Sequence, residues 1–404
     1  MLRRLTVLTI IVSAIFLMLV GIPLDSQPLF YMSTVMFLTL AAMRVQAIVA
    51  TRGLRFERKA PSVIIAGEKV PIRIRVWSTF KWRRSLLVIT DDLPKNLAYD
   101  LDTKPLPVAP TYHYAVETHY DLRPLKRGVY KWSKIRVVSN DPLGVMEVEK
   151  VYEADPIEIV VHPAQIPFPV DLTALSGWGA SLTDEGRNRG MGQEPRSVRE
   201  YISGDSLRHV HWRSTARRGM LQVKEFDTGF NVNLYVALQL TSGTDVGEGS
   251  QTTLEAMCGN AAYLAEIILN RGGTFHLPFL ENEVSVTRSA ETRYKEICDA
   301  LAFAQAIYTE PFSKQIDDLI TETPVGSTVV IMLSSAEPGV DSAIQRLSRV
   351  RSVVVLIYDS STYKKEKQRT ILPSATEREF LSSIASSAIV QFIPNPFQTD
   401  VKSN

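Results

Sequence analysis

Arg208, His211, Trp212 and Thr215 are spaced at i, i+3, i+4 and i+7, the interval that sets four side chains on one face of a helix. An imidazole among guanidinium groups can act as a general base beside anion clamps. The same groups, with Tyr201 and Trp212 for stacking, can hold a nucleic-acid strand. Neither chemistry is complete here. No nucleophile accompanies His211, and His209 points off the face, which argues against a two-histidine metal pair. Between Arg187 and Lys224 there are nine Lys/Arg and three Asp/Glu residues, but the basic block is not repeated elsewhere. Glu200 and Asp205 are interleaved as natural partners of Arg199 and Arg208, so no nucleic-acid partner is expected. A packed polar network that locks helix, strand and linker together ranks first. A protein-binding surface ranks second and catalysis last, so no catalytic residue and no enzyme activity is expected.

The elements that must position these groups are short. Gly204 and Asp205 read as a turn into a helix N-cap, and Gly219 as the C′ stop. Arg217 and Arg218 fall in the last turn, where positive charge suits the helix dipole. From Met220 onward alternation takes over, with Leu221 and Val223 on one side and Gln222, Lys224 and Phe226 on the other. That predicts a strand.

The run Arg199-Glu200-Tyr201-x-x-Gly204-Asp205-x-x-Arg208-x-x-His211-Trp212-x-x-Thr215-Ala216-Arg217, then Leu221-x-Val223-Lys224-x-Phe226, closely resembles the signature of the domain of unknown function 58 family. Residues 196–226 are therefore read as a family signature helix and strand, structural or partner-binding.

The chain has 404 residues, enough for two or three domains, and a net charge of +2 that favours no class of partner. Its two cysteines, Cys258 and Cys298, lie far apart in sequence and suit a reducing compartment. Residues 5–20 and 29–43 are apolar runs joined by a connector without Lys or Arg. Arg3 and Arg4 precede the first, and Arg44, Arg52, Arg55, Arg58 and Lys59 follow the second. Positive-inside logic predicts a hairpin of two transmembrane helices over 1–50, with both flanks in the cytoplasm. A cleaved signal peptide is the weaker reading, since a small-x-small cleavage site is lacking.

From 54 to 162 short alternating segments and regular turns predict an immunoglobulin-like β-sandwich. Val70, Ile72, Ile74 and Val76 form one inward phase, Tyr112, Tyr114, Val116 and Tyr120 another, and Ile157, Ile159 and Val161 a third. Residues 163–195 are rich in Pro and Gly and read as a linker. Over 228–404 strands at 232–240, 273–280, 327–333, 353–358 and 389–392 alternate with helices at 253–269, 291–307, 340–347 and 377–384. That pattern predicts a parallel sheet wrapped by helices. The fold class is thus multidomain, all-β plus α/β, behind an N-terminal helical hairpin.

The family resemblance implies that the last domain is von Willebrand factor type A-like. Such a domain holds a divalent cation through Asp-x-Ser-x-Ser after its first strand. Here Gln239, Thr241 and Gly243 occupy those places, and the site is degenerate: without the carboxylate, a hard cation loses its main ligand. No metal and no cofactor is expected. The resemblance also implies a membrane-anchored scaffold or adaptor that works with an AAA+ ATPase of the MoxR type on unknown client proteins. The alternative is an anion-binding module or enzyme using the Arg/His/Trp face.

Overall fold

The computed structural model describes residues 2–81, 84, 86–97, 99–101, 107–140, 147–169, 195–201, 210–226, 232–281, 289–364 and 372–398. The chain divides into two compact units, Met1–Val161 and His162–Asn404.

In the first unit, helices α1 (Leu2–Gly21) and α2 (Gln27–Ala50) lie against each other, and Ser33 Oγ donates to the Ala14 carbonyl at 2.8 Å. Among the described residues one helix, α2, is long and apolar enough to cross a membrane; Thr6–Gly21 forms a shorter apolar helix. Strands β1 (Leu54–Lys59), β2 (Val63–Ile65), β3 (Val70–Ser78), β4 (Leu87–Asp91), β5 (Tyr99–Leu101), β6 (Val116–Pro124), β7 (Gly128–Asn140) and β8 (Glu147–His162) follow. They form two four-stranded sheets, ordered β1-β3-β6-β5 and β2-β8-β7-β4. One apolar core takes residues from both, including Ile72, Ile74, Leu87, Ile135 and Ile159. Strand β3 keeps the expected alternation, with Val70, Ile72, Ile74 and Val76 inward. Tyr112 and Tyr114 are exposed and precede β6, so that phase begins only at Val116.

Two polar clusters tie this unit together. The Arg84 guanidinium donates to the Ala50 carbonyl at 2.6 Å and to Ser78 Oγ at 2.9 Å, closing the C-terminal end of α2 against the β-domain. Unsatisfied carbonyls at a helix end carry partial negative charge, which a guanidinium meets well. Burial pulls the Arg84 pKa down from its usual value. The second cluster centres on Arg58, whose side chain and that of Asp91 are each 1% exposed and 3.1 Å apart. Arg58 is therefore a core ion pair, and only the other basic residues after α2 remain as flanking charge.

The second unit begins with a strap. Ile166 N donates to the Gly259 carbonyl at 3.1 Å, Asn260 Nδ2 donates to the Ile166 carbonyl at 2.7 Å, and Phe168 is buried in the core. Residues 163–169 are thus packed, while 170–194 of the expected linker lie outside the described residues. Then come β9 (Pro195–Glu200), α3 (Trp212–Arg218), β10 (Gln222–Phe226), β11 (Asn233–Leu238), the short pair β12 (Gly247–Glu248) and β13 (Gln251–Thr252), and α4 (Thr253–Asn270). The rest is β14 (Thr274–His276), α5 (Ala290–Phe303), α6 (Phe312–Glu322), β15 (Thr328–Leu333), α7 (Val340–Ser348), β16 (Ser352–Tyr358), α8 (Arg378–Ile384) and β17 (Ile389–Ile393).

Strands β14-β11-β15-β16-β17 form one parallel sheet in that order. Its two faces are covered separately, by α4 and α5 on one side and by α6, α7 and α8 on the other. Two-sided burial explains the unbroken apolar run Val329 to Leu333, all of it buried. The expected strand at 273–280 shrinks to three residues on the sheet edge, and the helix expected to reach Ile307 stops at Phe303.

The strap makes a sharp test. A Cβ on Gly259 would stand 2.6 Å from Ile166 Cδ1 and 2.8 Å from the Ala164 carbonyl oxygen. In an isolated helix alanine gains about 1 kcal/mol over glycine. Here overpacking reverses the sign, and Gly259→Ala should lose roughly 1–2 kcal/mol net. Hydrogen exchange at the Ile166 amide should accelerate in the variant; unchanged protection with a raised melting temperature would contradict this packing.

Candidate functional site

The signature residues build a small module. Strands β9 and β10 pair antiparallel, with Gln222 opposite Glu200, Val223 opposite Arg199 and Lys224 opposite Val198. Val210 bridges to Val223, and His211 N donates to the Gln222 carbonyl at 2.7 Å. The helix then starts at Trp212, with His211 as its N-cap at φ −89° and ψ 84°. This corrects the helix expected to begin at Asp205, because residues 210 and 211 are extended and paired with β10. Gly204, Asp205, Arg208 and His209 lie outside the described residues, as do the side chains of Arg199 and Lys224.

His211 is a cap. Its Nδ1 lies 2.7 Å from Ser214 Oγ and accepts the Ser214 N–H at 3.2 Å, so the neutral ring carries its proton on Nε2. Thr215 Oγ1 accepts the Gln222 N–H at 3.0 Å and thereby ties α3 to β10. Gly219 closes the helix at φ 69°, its N–H bonding the Thr215 carbonyl at 2.9 Å. That left-handed cap is as the sequence predicted, and Arg217 and Arg218 occupy the last turn.

The side-chain alternation of β10 is not as expected. Leu221 is 40% exposed, whereas Gln222 and Val223 are both buried. Gln222 lies buried, with its backbone bonded to Thr215 Oγ1 and His211 N, its Oε1 accepting from Arg218 Nη1 at 3.4 Å and its Nε2 without a hydrogen-bond partner among the described residues. Trp212 also departs from expectation: it is 68% exposed, and α3 has no buried residue. A packed role for Trp212 is thereby overturned. Tyr201 is half-buried, with its N–H on the Leu221 carbonyl at 2.9 Å.

The second candidate lies where β11 and β15 end, the point at which the sheet order turns from β14 on one side to β15 on the other. In open parallel sheets that crevice is the usual ligand position. Gln239 fills it. Its Oε1 accepts the Ser334 and Ser335 N–H groups at 2.9 and 3.1 Å. Its Nε2 donates to the Ser335 carbonyl at 2.9 Å and to Glu337 Oε1 at 2.6 Å. Glu337 Oε2 accepts the Phe312 N–H at 3.3 Å. Thr241 Oγ1 is buried without a hydrogen-bond partner, and Gly243 sits in a turn at φ 89°. Asp245, the nearest other carboxylate in sequence, accepts the Leu254 N–H at 3.0 Å at the start of α4.

These residues do not fit a divalent cation. A carboxamide N–H points where an anionic oxygen would be needed, and the loop is held by hydrogen bonds of its own. Among the described residues no group of three or more His, Cys, Asp or Glu is placed to hold a metal ion. Elsewhere, His276 at the end of β14 is pushed down to about 4, first by burial and then by Arg293. It stacks on Tyr235 at 4.6 Å, a packing contact on the sheet edge. Cys258 and Cys298 are buried and are not joined in a disulfide.

Residues 197–361 match the model of the family described as "Protein of unknown function DUF58". The match contains the motif from Arg199 to Phe226 and most of the parallel sheet. One curated relative, "Uncharacterized protein YeaD" of Bacillus subtilis (strain 168), is 22% identical over 254 residues, covering 62% of this chain and 62% of that protein. The chain thus aligns with less than two thirds of that relative's length. A conjugative transposon lipoprotein from Bacteroides eggerthii aligns at 12% identity over 26% of this chain and 99% of its own, with a TM-score of 0.17. A cohesin module from Clostridium perfringens family 33 glycoside hydrolase aligns at 8% over 28% and 98%, with a TM-score of 0.16. Scores this low carry no argument about fold.

Proposed function

We propose that this chain is a membrane-anchored, non-enzymatic adaptor, with its soluble part in the cytoplasm, working with a MoxR-type AAA+ ATPase in the assembly or activation of other proteins. The ATPase partner is implied by the family resemblance. The observation that carries the adaptor reading is how the signature side chains are used. His211 and Thr215 bind their own backbone, the Ser214 hydroxyl beside His211 is held in that same helix cap, and Trp212 faces outward.

Membrane insertion of the helical pair is supported by its outer surface, while the cytoplasmic flanks rest on the basic residues around it. Leu8, Phe16, Leu19, Tyr31, Met32 and Leu38 are each more than half exposed, an apolar exterior that water would disfavour. Two sheets around one core support the immunoglobulin-like sandwich. The doubly covered parallel sheet supports the von Willebrand factor type A-like assignment, with Gln239 standing in the degenerate cation site.

The test uses the full chain in cells. Alkaline phosphatase fused after Asn404 should stay inactive, and the ATPase should co-purify with the detergent-extracted protein. Active phosphatase would place the soluble part outside; an inactive fusion without co-purified ATPase would remove the partner.

A further inference from the structure

We infer that the outer face of α3 and the turn after it is a docking surface for an acidic protein segment bearing an apolar anchor residue. This rests on the adaptor reading and assigns it a place. Trp212, Met220 and Leu221 are 68%, 56% and 40% exposed, and Arg213, Arg217 and Arg218 are exposed beside them. A seven-residue helix without a buried residue cannot be explained by core packing, and it is too short to be stable alone. It is held instead from its ends and underside: His211 on Ser214, Gly219 on Thr215, and Thr215 on Gln222. The construction fixes a backbone while leaving Trp212, Arg213 and Arg217 exposed on its outer face.

The chemistry of that face selects the occupant. From Val210 to Val223 the chain has three arginines and no acidic residue. Arg213 and Arg217, four apart on the helix, repel each other, and no ion pair to either is seen among the described residues. An incoming carboxylate relieves that repulsion and can bind a guanidinium in bidentate fashion. Trp, Met and Arg are the residue types enriched in the cores of protein interfaces, where Lys is depleted, and no Lys lies between Val210 and Val223. An anionic membrane surface is disfavoured, since such surfaces are read by clusters of about four to eight Lys/Arg. A nucleic-acid strand is disfavoured because, among the described residues, Trp212 is the one exposed aromatic ring beside the arginines.

The test uses the full chain in nanodiscs of neutral lipid and a fluorescent peptide of glutamates interspersed with leucines, with a lysine-leucine peptide as control. Phosphatidylglycerol vesicles form a separate arm. The acidic peptide should bind, more weakly as salt rises. Trp212→Ala and the double substitution Arg213→Glu/Arg217→Glu should each weaken it about tenfold or more. The double variant should also acquire affinity for the lysine-leucine peptide. Both variants should melt as the parent does, because the side chains are exposed. Acidic-peptide affinity unchanged by these substitutions would overturn the surface, as would preference for the vesicles. The two readings separate cleanly: ATPase capture that survives both variants keeps the adaptor and removes this face. Peptide binding that depends on the face, without ATPase capture, does the reverse.

Discussion

Arg58→Ala should unfold the β-domain at a temperature more than about 10 °C lower, the largest effect expected of any single substitution in this unit. Arg58 lies on β1, in one sheet, and reaches Asp91 on β4, in the other. Its Nη2 also donates to the carbonyls of Ser133 at 3.1 Å and Asp155 at 2.5 Å. The β7–β8 register shifts between Trp132 and Lys134, so the Ser133 carbonyl leaves the ladder at the bulge and turns to the guanidinium. Tyr120 Oη donates to the other Asp91 oxygen at 2.8 Å.

Burial raises the Asp91 pKa, and Tyr120 and then Arg58 only partly offset it. The pair is therefore costly to bury and far costlier to break, about 3–5 kcal/mol when one partner is removed. The folded pKa of Asp91 is raised, so its contribution to stability is greatest at low pH and falls as pH rises through it. Without Arg58 this dependence should steepen, and the loss measured at neutral pH should shrink on acidification. The double replacement Arg58→Met/Asp91→Leu should lose less than either partner's removal alone. Thermal melts of the three variants across pH decide the matter, and a small loss for Arg58→Ala would show the cluster to be solvated.

Gln239→Glu is the second large effect, on the order of 3 kcal/mol or more. One oxygen of the new carboxylate would face Glu337 Oε1, which now accepts from Gln239 Nε2 at 2.6 Å, and the Ser335 carbonyl, now 2.9 Å from the same nitrogen. Two donor contacts become two repulsions in a buried crevice. The introduced carboxyl can restore one contact by carrying its own proton, so the variant should recover stability as pH falls. Titrating Mg²⁺ into Gln239→Glu provides a control. Rescue by the ion would show that the crevice accepts a cation once supplied with a second carboxylate, and that the carboxamide alone excludes it.

Much of this was legible in the sequence. Val70 to Val76 announced their strand because one face is buried and the other wet. The run from Val329 to Leu333 announced a doubly covered strand. Helix α6 was missed although Phe312, Ile316 and Leu319 recur at i, i+4 and i+7, and all three are buried. The start of α3 was misread because Gly204-Asp205 carries a strong capping signal, whereas histidine is not among the favoured cap residues. Gln222 broke its alternation, buried beside Val223, and no local pattern encodes that. Gln239 was visible as a missing carboxylate. Its bonds to Ser334, Ser335 and Glu337, nearly a hundred residues away, were not.

The Arg84 clasp has a mechanical consequence. It fastens the last carbonyls of α2 to Ser78 on β3, and Tyr152 on β8 hydrogen-bonds the Thr51 carbonyl just beyond the helix. Two strands from different sheets thus grip the end of one 24-residue helix, about 36 Å of rigid rod. These hydrogen bonds couple rod and domain at their junction. With α2 seated in a bilayer as proposed, a change in lipid thickness that tilts the helix must swing the β-domain through the same angle. Helix and domain would then act as a lever with its fulcrum at the membrane surface.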